Sequence, residues 1–171
     1  MNTWSEKRNR PKIKIGLTLF DLIIEIAGLA TVLGMWIMVL FAYSKLPEII
    51  PTHFDAAGVA NDFGKKSSIF LLPAIAIVLF ACMTVLSMFP HTFNYPVKIT
   101  ENNAFLQYRN VVRMIRCLKL AVVLLFEFIV IQTIRIANGK SDDFSVWFVF
   151  LIIGLMFLIM GYFIVNLLKY K

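Results

Sequence analysis

The sequence predicts an all-helical integral membrane protein, a bundle of four transmembrane helices with both termini in the cytoplasm. Three observations lead there. Sixty per cent of the 171 residues are hydrophobic and only 16% are charged, the reverse of a soluble domain. Four apolar runs approach the roughly 20 residues needed to cross about 30 Å of hydrocarbon. No stretch shows the sustained two-residue alternation, repeated many times, that a membrane barrel requires.

The runs fall at about 22–43, 69–89, 120–137 and 144–168. The third, "LAVVLLFEFIVIQTIRIA", is interrupted by Glu127 and Gln132 yet is too long and too apolar for a loop. The spans leave an outer loop at 44–68 and an inner connection at 90–119, all in a single domain of 1–171 without internal repeats. Orientation follows from the basic residues. Twelve of the 17 lie in the N-terminal tail (Lys7, Arg8, Arg10, Lys12, Lys14), in the inner connection (Lys98, Arg109, Arg113, Arg116, Lys119) and at the end (Lys169, Lys171). The loops on the other side hold Lys45, Lys65, Lys66, Arg135 and Lys140. The net charge of +7 is therefore a topological signal, attracted to anionic lipid, rather than a nucleic-acid footprint. The first apolar run is too long for a signal-peptide core and has no small-x-small cleavage site, so it is expected to remain as a helix. Cys82 and Cys117 fall in or beside the membrane on the reducing side and read as packing residues, not a disulfide.

Within 100–119 an Asn cap at Asn102 or Asn103 precedes an apolar stripe of Phe105, Tyr108, Val112 and Ile115. Arg109, Arg113 and Arg116 occupy another face. This is an amphipathic segment lying on, or rising from, the inner interface, whose arginines suit lipid phosphates or a small cytoplasmic regulator. Asp21 and Glu25, four apart on the first helix, stand at the depth of Arg113 and Arg116 and predict a cross-helix ion pair. Glu127 is about 16 Å along the helix from Arg116, too far to pair. It is protonated, hydrogen-bonded to another helix (Thr31, Thr84 and Gln132 are candidates), or exposed to water as a proton or ion site. Pro73, Gly28, Gly34, Gly154 and Gly161 read as helix-packing residues.

The outer loop, "KLPEIIPTHFDAAGVANDFGKKSS", is dense in special residues. Pro47 and Pro51 stiffen its start, and Asp55, Gly58, Asp62 and Gly64 are turn formers. Ile49, Ile50, Phe54, Val59 and Phe63 supply apolar surface to fold down onto the helix ends as a small lid. His53, Asp55 and Asp62 are ligand types for a metal, but one histidine without cysteine makes a poor zinc set, and a hydrogen-bonded structural histidine is the simpler reading; no metal or other cofactor is expected. No nucleophile with a base, phosphate-binding glycine pair or zinc-helix motif occurs, which argues against an enzyme.

The order L-P-x-x-I-P-x-H-F, then a glycine, an acid and G-x-K before a hydrophobic span, is carried by Leu46, Pro47, Ile50, Pro51, His53, Phe54, Gly58, Asp62, Gly64 and Lys66. It resembles the bacterial integral-membrane domain of unknown function at the N-terminus of SdpI-like immunity proteins. The resemblance implies a multi-pass protein of the bacterial inner (cytoplasmic) membrane. In the immunity proteins it further implies protection against a secreted peptide toxin and capture of a small transcriptional repressor by cytoplasmic arginines. Those proteins have about six spans where this chain offers four. The expected binding residues are His53, Asp55, Asp62 and Lys66 outside, Arg109, Arg113 and Arg116 inside, and Glu127 within the membrane. Expected partners are membrane lipids, a secreted peptide outside or a small regulator inside, without direct nucleic-acid contact; self-association is compatible with all of these. The rival expectation is a proton-coupled carrier using Glu127.

Overall fold

The computed structural model describes residues 10–141 and 144–169. The basic residues Lys7, Arg8 and Lys171 lie outside the described residues. Helix α1 spans Leu19–Tyr43 and begins at a capping box. Thr18 Oγ1 accepts the Asp21 amide at 3.3 Å, and Asp21 Oδ2 accepts the Thr18 amide at 3.0 Å. The next residues form two antiparallel strands, β1 (Ile49–Phe54) and β2 (Ala60–Lys65), closed by an Asp55 turn. A 3₁₀ turn at Lys66–Phe70 leads into α2 (Leu71–Ser87). After an irregular connection come α3 (Ala104–Ala137) and α4 (Val146–Lys169).

The hairpin corrects the all-helical expectation. Pro51 interrupts the first strand, and "ANDFGK" has almost no strand propensity, so period-two patterning was absent from both. Tertiary contact supplies the order instead: Ile50 and Pro51 turn inward and are buried, while Thr52 and His53 face out across a register irregularity. The lid expectation holds only in part. Ile50 is 1% exposed and Phe54 is half-buried, but Ile49, Val59 and Phe63 point outward at 57%, 49% and 57% exposure.

Helix α3 is the central element, with α1, α2 and α4 each packed against it. At 34 residues it is about 51 Å long, so the expected amphipathic segment rises continuously into the third apolar run rather than lying flat. Its first turns are held by Gln107 Nε2, which donates to Leu167 O on α4 at 2.9 Å. Asn103 is the N-cap residue, but its side chain turns back, accepting from the Thr100 amide and donating to Lys98 O. One core gathers Met35 and Val39 of α1, Leu46, Ile50, Ile69, Ala76 of α2 and Val130 of α3. The outer loop is thus part of the core and not a tether between helices.

Among the described residues, three helical segments, Leu19–Tyr43, Lys66–Ser87 and Val146–Lys169, are long and apolar enough to cross a membrane; α3, which holds the expected third span, is not one of them. Their broad exposed apolar faces, such as Phe41, Leu71 and Leu158, fit a lipid surround. Gly28 is a true packing position, since a β-carbon there would meet the Phe80 ring at 2.9 Å. Gly154 and Gly161 are not: a β-carbon at either meets nothing within 4 Å, which corrects the expectation that they bring helices of this chain together.

Candidate functional site

The hairpin tip is fixed by local chemistry. Asp55 Oδ1 accepts the amides of Ala57 and Val59, each at 2.9 Å, and Gly58 takes φ +85°, a conformation costly for any side chain. Absence of a β-carbon also lets Gly58 lie against the segment before α4, where its carbonyl accepts the Phe144 amide at 2.9 Å. Phe54 and Phe144 pack with ring centroids 4.8 Å apart, and Phe128 of α3 meets Phe144 at 5.7 Å and Phe148 at 4.1 Å. At the other end of the hairpin, Lys66 pairs with Glu48 at 2.9 Å, lies 5.2 Å from the Tyr43 ring centre, and donates its amide to Glu48 O. Gly64 lets Thr52 approach closely, since a β-carbon would come within 2.9 Å of its methyl.

Bridged at both ends, the hairpin roofs a cleft of about 470 Å³. Ile129 and Thr133 of α3 line it, as do Leu71 and Leu72 of α2 and Val149 and Phe150 of α4, while the roof includes Pro51 to Ala56. The size lies within the range of small-molecule sites, and the lining is mostly apolar with a few polar groups.

Of the expected outer residues, His53 and Asp55 border this cleft, whereas Asp62 and Lys66 do not. His53 is exposed with Nδ1 2.6 Å from Asn61 Oδ1, which matches the hydrogen-bonded reading. Asp62 pairs with His53 in the strand register and accepts the Phe63 amide, and Lys66 serves the hairpin closure. Among the described residues, no three His, Cys, Asp or Glu side chains converge on a metal position.

A second polar constellation lies at the opposite end of the bundle, within it. Asp21 Oδ1 is 3.1 Å from Arg116 Nη1 and 3.3 Å from Arg113 Nε, and Glu25 Oε1 is 3.3 Å from Arg116 Nε. Lys119, 1% exposed, places Nζ 2.6 Å from Glu25 Oε2 and 2.8 Å from Thr84 Oγ1, with the Phe80 ring centre at 4.2 Å. The pairing of Asp21 and Glu25 with the arginines is as expected. Lys119 and Thr84 were missed as members, although Lys119 continues the 113–116 ladder by three residues and was legible there. Arg113 and Arg116 are consequently engaged, leaving Arg109, stacked 5.4 Å from the Phe105 ring centre, as the member of that trio without an ion pair among the described residues. Arg10 reaches back to donate to Phe93 O at 2.6 Å, and it lies 5.5 Å from the Tyr95 ring centre. Burial pushes the Tyr95 phenol above its ordinary range.

Glu127 belongs to neither site. It is half-buried beside Gly34, whose β-carbon position lies 3.7 Å from Glu127 Oε1. Neither Thr31, Thr84 nor Gln132 hydrogen-bonds to it; Thr84 is taken by Lys119 and Phe80 O.

Residues 30–77 match the family described as Domain of unknown function (DUF1648). The matched stretch is the second half of α1, the whole hairpin and the start of α2, so it includes the roof of the cleft but neither α3 nor α4. The chain is also similar to an uncharacterized protein of Archaeoglobus fulgidus, at 36% identity over 70 residues. That similarity covers 36% of this chain and 38% of the archaeal one, so the chain spans well under half of the relative's length. No solved structure matches.

Proposed function

We propose that this chain is a non-catalytic, multi-pass protein of the bacterial cytoplasmic membrane that binds an apolar ligand from outside, in the cleft beneath its hairpin. The roughly 470 Å³ cleft, built jointly by the hairpin and the ends of three helices, carries that reading. In this reading α3 is the fourth crossing. Its charges are compatible with a membrane because Arg116 and Lys119 are paired with acids on α1. The contact of Gly58 with Phe144 supports the same topology, since it brings the segment before α4 to the face where α1 ends. The bias of lysines and arginines in the sequence toward the 90–119 connection and the two tails supports a reading with the hairpin outside and both termini inside.

The outer-loop motif, with its resemblance to SdpI-like immunity proteins, favours a protective or signalling role toward a secreted peptide. Arg109 is then the inner-face residue available to a cytoplasmic regulator, because Arg113 and Arg116 are committed to Asp21 and Glu25. A benzophenone side chain at position 150, photolysed in native membranes, tests the binding role. A discrete adduct is expected, lost when Val149→Trp fills the cleft and kept in Glu127→Gln. One observation favours a rival reading: Glu127 has no hydrogen-bond or ion-pair partner among the described residues, which leaves its carboxyl free to exchange a proton as a carrier site. Loss of proton-coupled solute flux in a normally folded Glu127→Gln protein, without any cleft adduct, would replace the binding role by the carrier.

A further inference from the structure

The charged and titratable groups lining the cleft are few: the Asp55 carboxylate and the His53 imidazole. Among the described residues that line it there is no lysine or arginine, and its acidic group is Asp55. Only Oδ1 of that carboxylate is occupied, by the Ala57 and Val59 amides; Oδ2 accepts no hydrogen bond and Asp55 makes no ion pair among the described residues. None of the lysines around the hairpin, Lys45, Lys65 and Lys66, lines the cleft, and Lys66 is drawn to Glu48. The rings of Phe54, Phe144 and Phe150 also line the space, and aromatic faces attract cations.

We propose that the cleft is a site for a lipophilic organic cation, whose apolar body sits against Ile129, Leu72 and Val149 while its positive centre faces Asp55 and the aromatic rings. The proposal rests on the cleft being a binding site and adds the chemical class of what it binds. A phosphate-bearing headgroup would find neither lysine nor arginine in the lining, only the His53 imidazole, and would face the Asp55 carboxylate. A cation would engage the second oxygen of Asp55, which the turn leaves open, whereas a neutral ligand would not.

The test uses two ions of the same shape and opposite charge, tetraphenylphosphonium and tetraphenylborate, bound by equilibrium dialysis to the full chain in a neutral detergent. Comparing the ratio of their affinities between wild type and Asp55→Asn cancels partition into the micelle. Asparagine keeps the Oδ1 acceptor that caps the turn, so the hairpin is retained. The expected result is that the preference for the cation falls about tenfold in Asp55→Asn, the effect of one partly screened charge at close range. Val149→Trp, which fills the cleft from α4, is expected to weaken both ions together. If both ions bind, both are weakened by Val149→Trp, and the ratio is the same in wild type and Asp55→Asn, the cation proposal is overturned while the binding site stands. If neither ion responds to Val149→Trp in a protein with an unchanged melting temperature, the binding site itself is refuted.

Discussion

Replacing Gly58 by alanine, with Gly139→Ala as its control, isolates what docks the hairpin on the bundle. Both glycines have positive φ, +85° at Gly58 and +65° at Gly139. Alanine at either position therefore carries a left-handed backbone cost of about 1–2 kcal/mol. Their surroundings differ. A β-carbon on Gly139, just beyond α3, meets nothing within 4 Å, whereas one on Gly58 would stand 2.1 Å from Phe144 O. Phe144 must then retreat, which breaks its amide bond to Gly58 O, worth about 0.5–1.5 kcal/mol. It also loosens the ring contacts with Phe54 and Phe128, each worth about 0.5–1.5 kcal/mol. The expected losses are therefore about 3–6 kcal/mol for Gly58→Ala and about 1–2 kcal/mol for Gly139→Ala. Thermal unfolding of both variants in detergent, with limited proteolysis of the 55–60 turn, reads the difference. Gly58→Ala should melt lower than Gly139→Ala and be cut at the turn below its melting temperature. Equal melting shifts, or a protected turn in Gly58→Ala, would refute docking of the tip and with it the roof of the cleft.

Lys119→Met leaves Glu25 with Arg116 alone and Thr84 without its donor; the loss should be about 3–5 kcal/mol by SDS titration, and the double variant with Glu25→Gln should recover part of it. A single variant as stable as wild type would show that the cluster does not bind α1 to α3. Leu46→Ala removes a 5%-exposed side chain from the core beneath the hairpin and should cost about 2–5 kcal/mol in the same titration, whereas Ile49→Ala, on the outer side at 57% exposure, should be close to neutral. For pH, Tyr95 is held neutral by burial in the folded protein, so the unfolded chain loses the phenolic proton first as pH rises. Stability from this group is complete below about pH 10 and declines above it, and Tyr95→Phe should flatten that alkaline decline in a melting series. A series as steep in the variant as in wild type would assign the decline elsewhere.

Reading the chain alone captured the three most apolar helices because their signal is additive: about twenty apolar residues sum to one decision. The ion pairs of α1 with α3 were legible for a related reason, since Asp21 and Glu25 on one face have few partners at their depth other than the arginines within the 90–119 connection. Lys119 escaped because it was counted as a topological charge, although burial makes it a partner of Glu25. The hairpin was hidden because Pro51 interrupts the first strand and the second has little intrinsic propensity, and its order comes from Leu46, Ile50 and Ile69 fitting the bundle core. The outer-loop motif stood out by composition, yet most of its members act in folding: Leu46, Ile50 and Pro51 are buried, Gly58 and Gly64 permit close approach, and Lys66 closes the hairpin.

Sequence by itself thus determined a helical membrane protein, the placement of its apolar segments and the shared face of its first-helix acids, because hydropathy, helical spacing and charge are properties of short segments. Tertiary structure decided the two-stranded roof, the cleft beneath it, the commitment of Arg113 and Arg116 to acids, and the isolation of Glu127. Those features join residues from the hairpin and from different helices, and their meeting depends on shape complementarity, which no local window of the chain encodes.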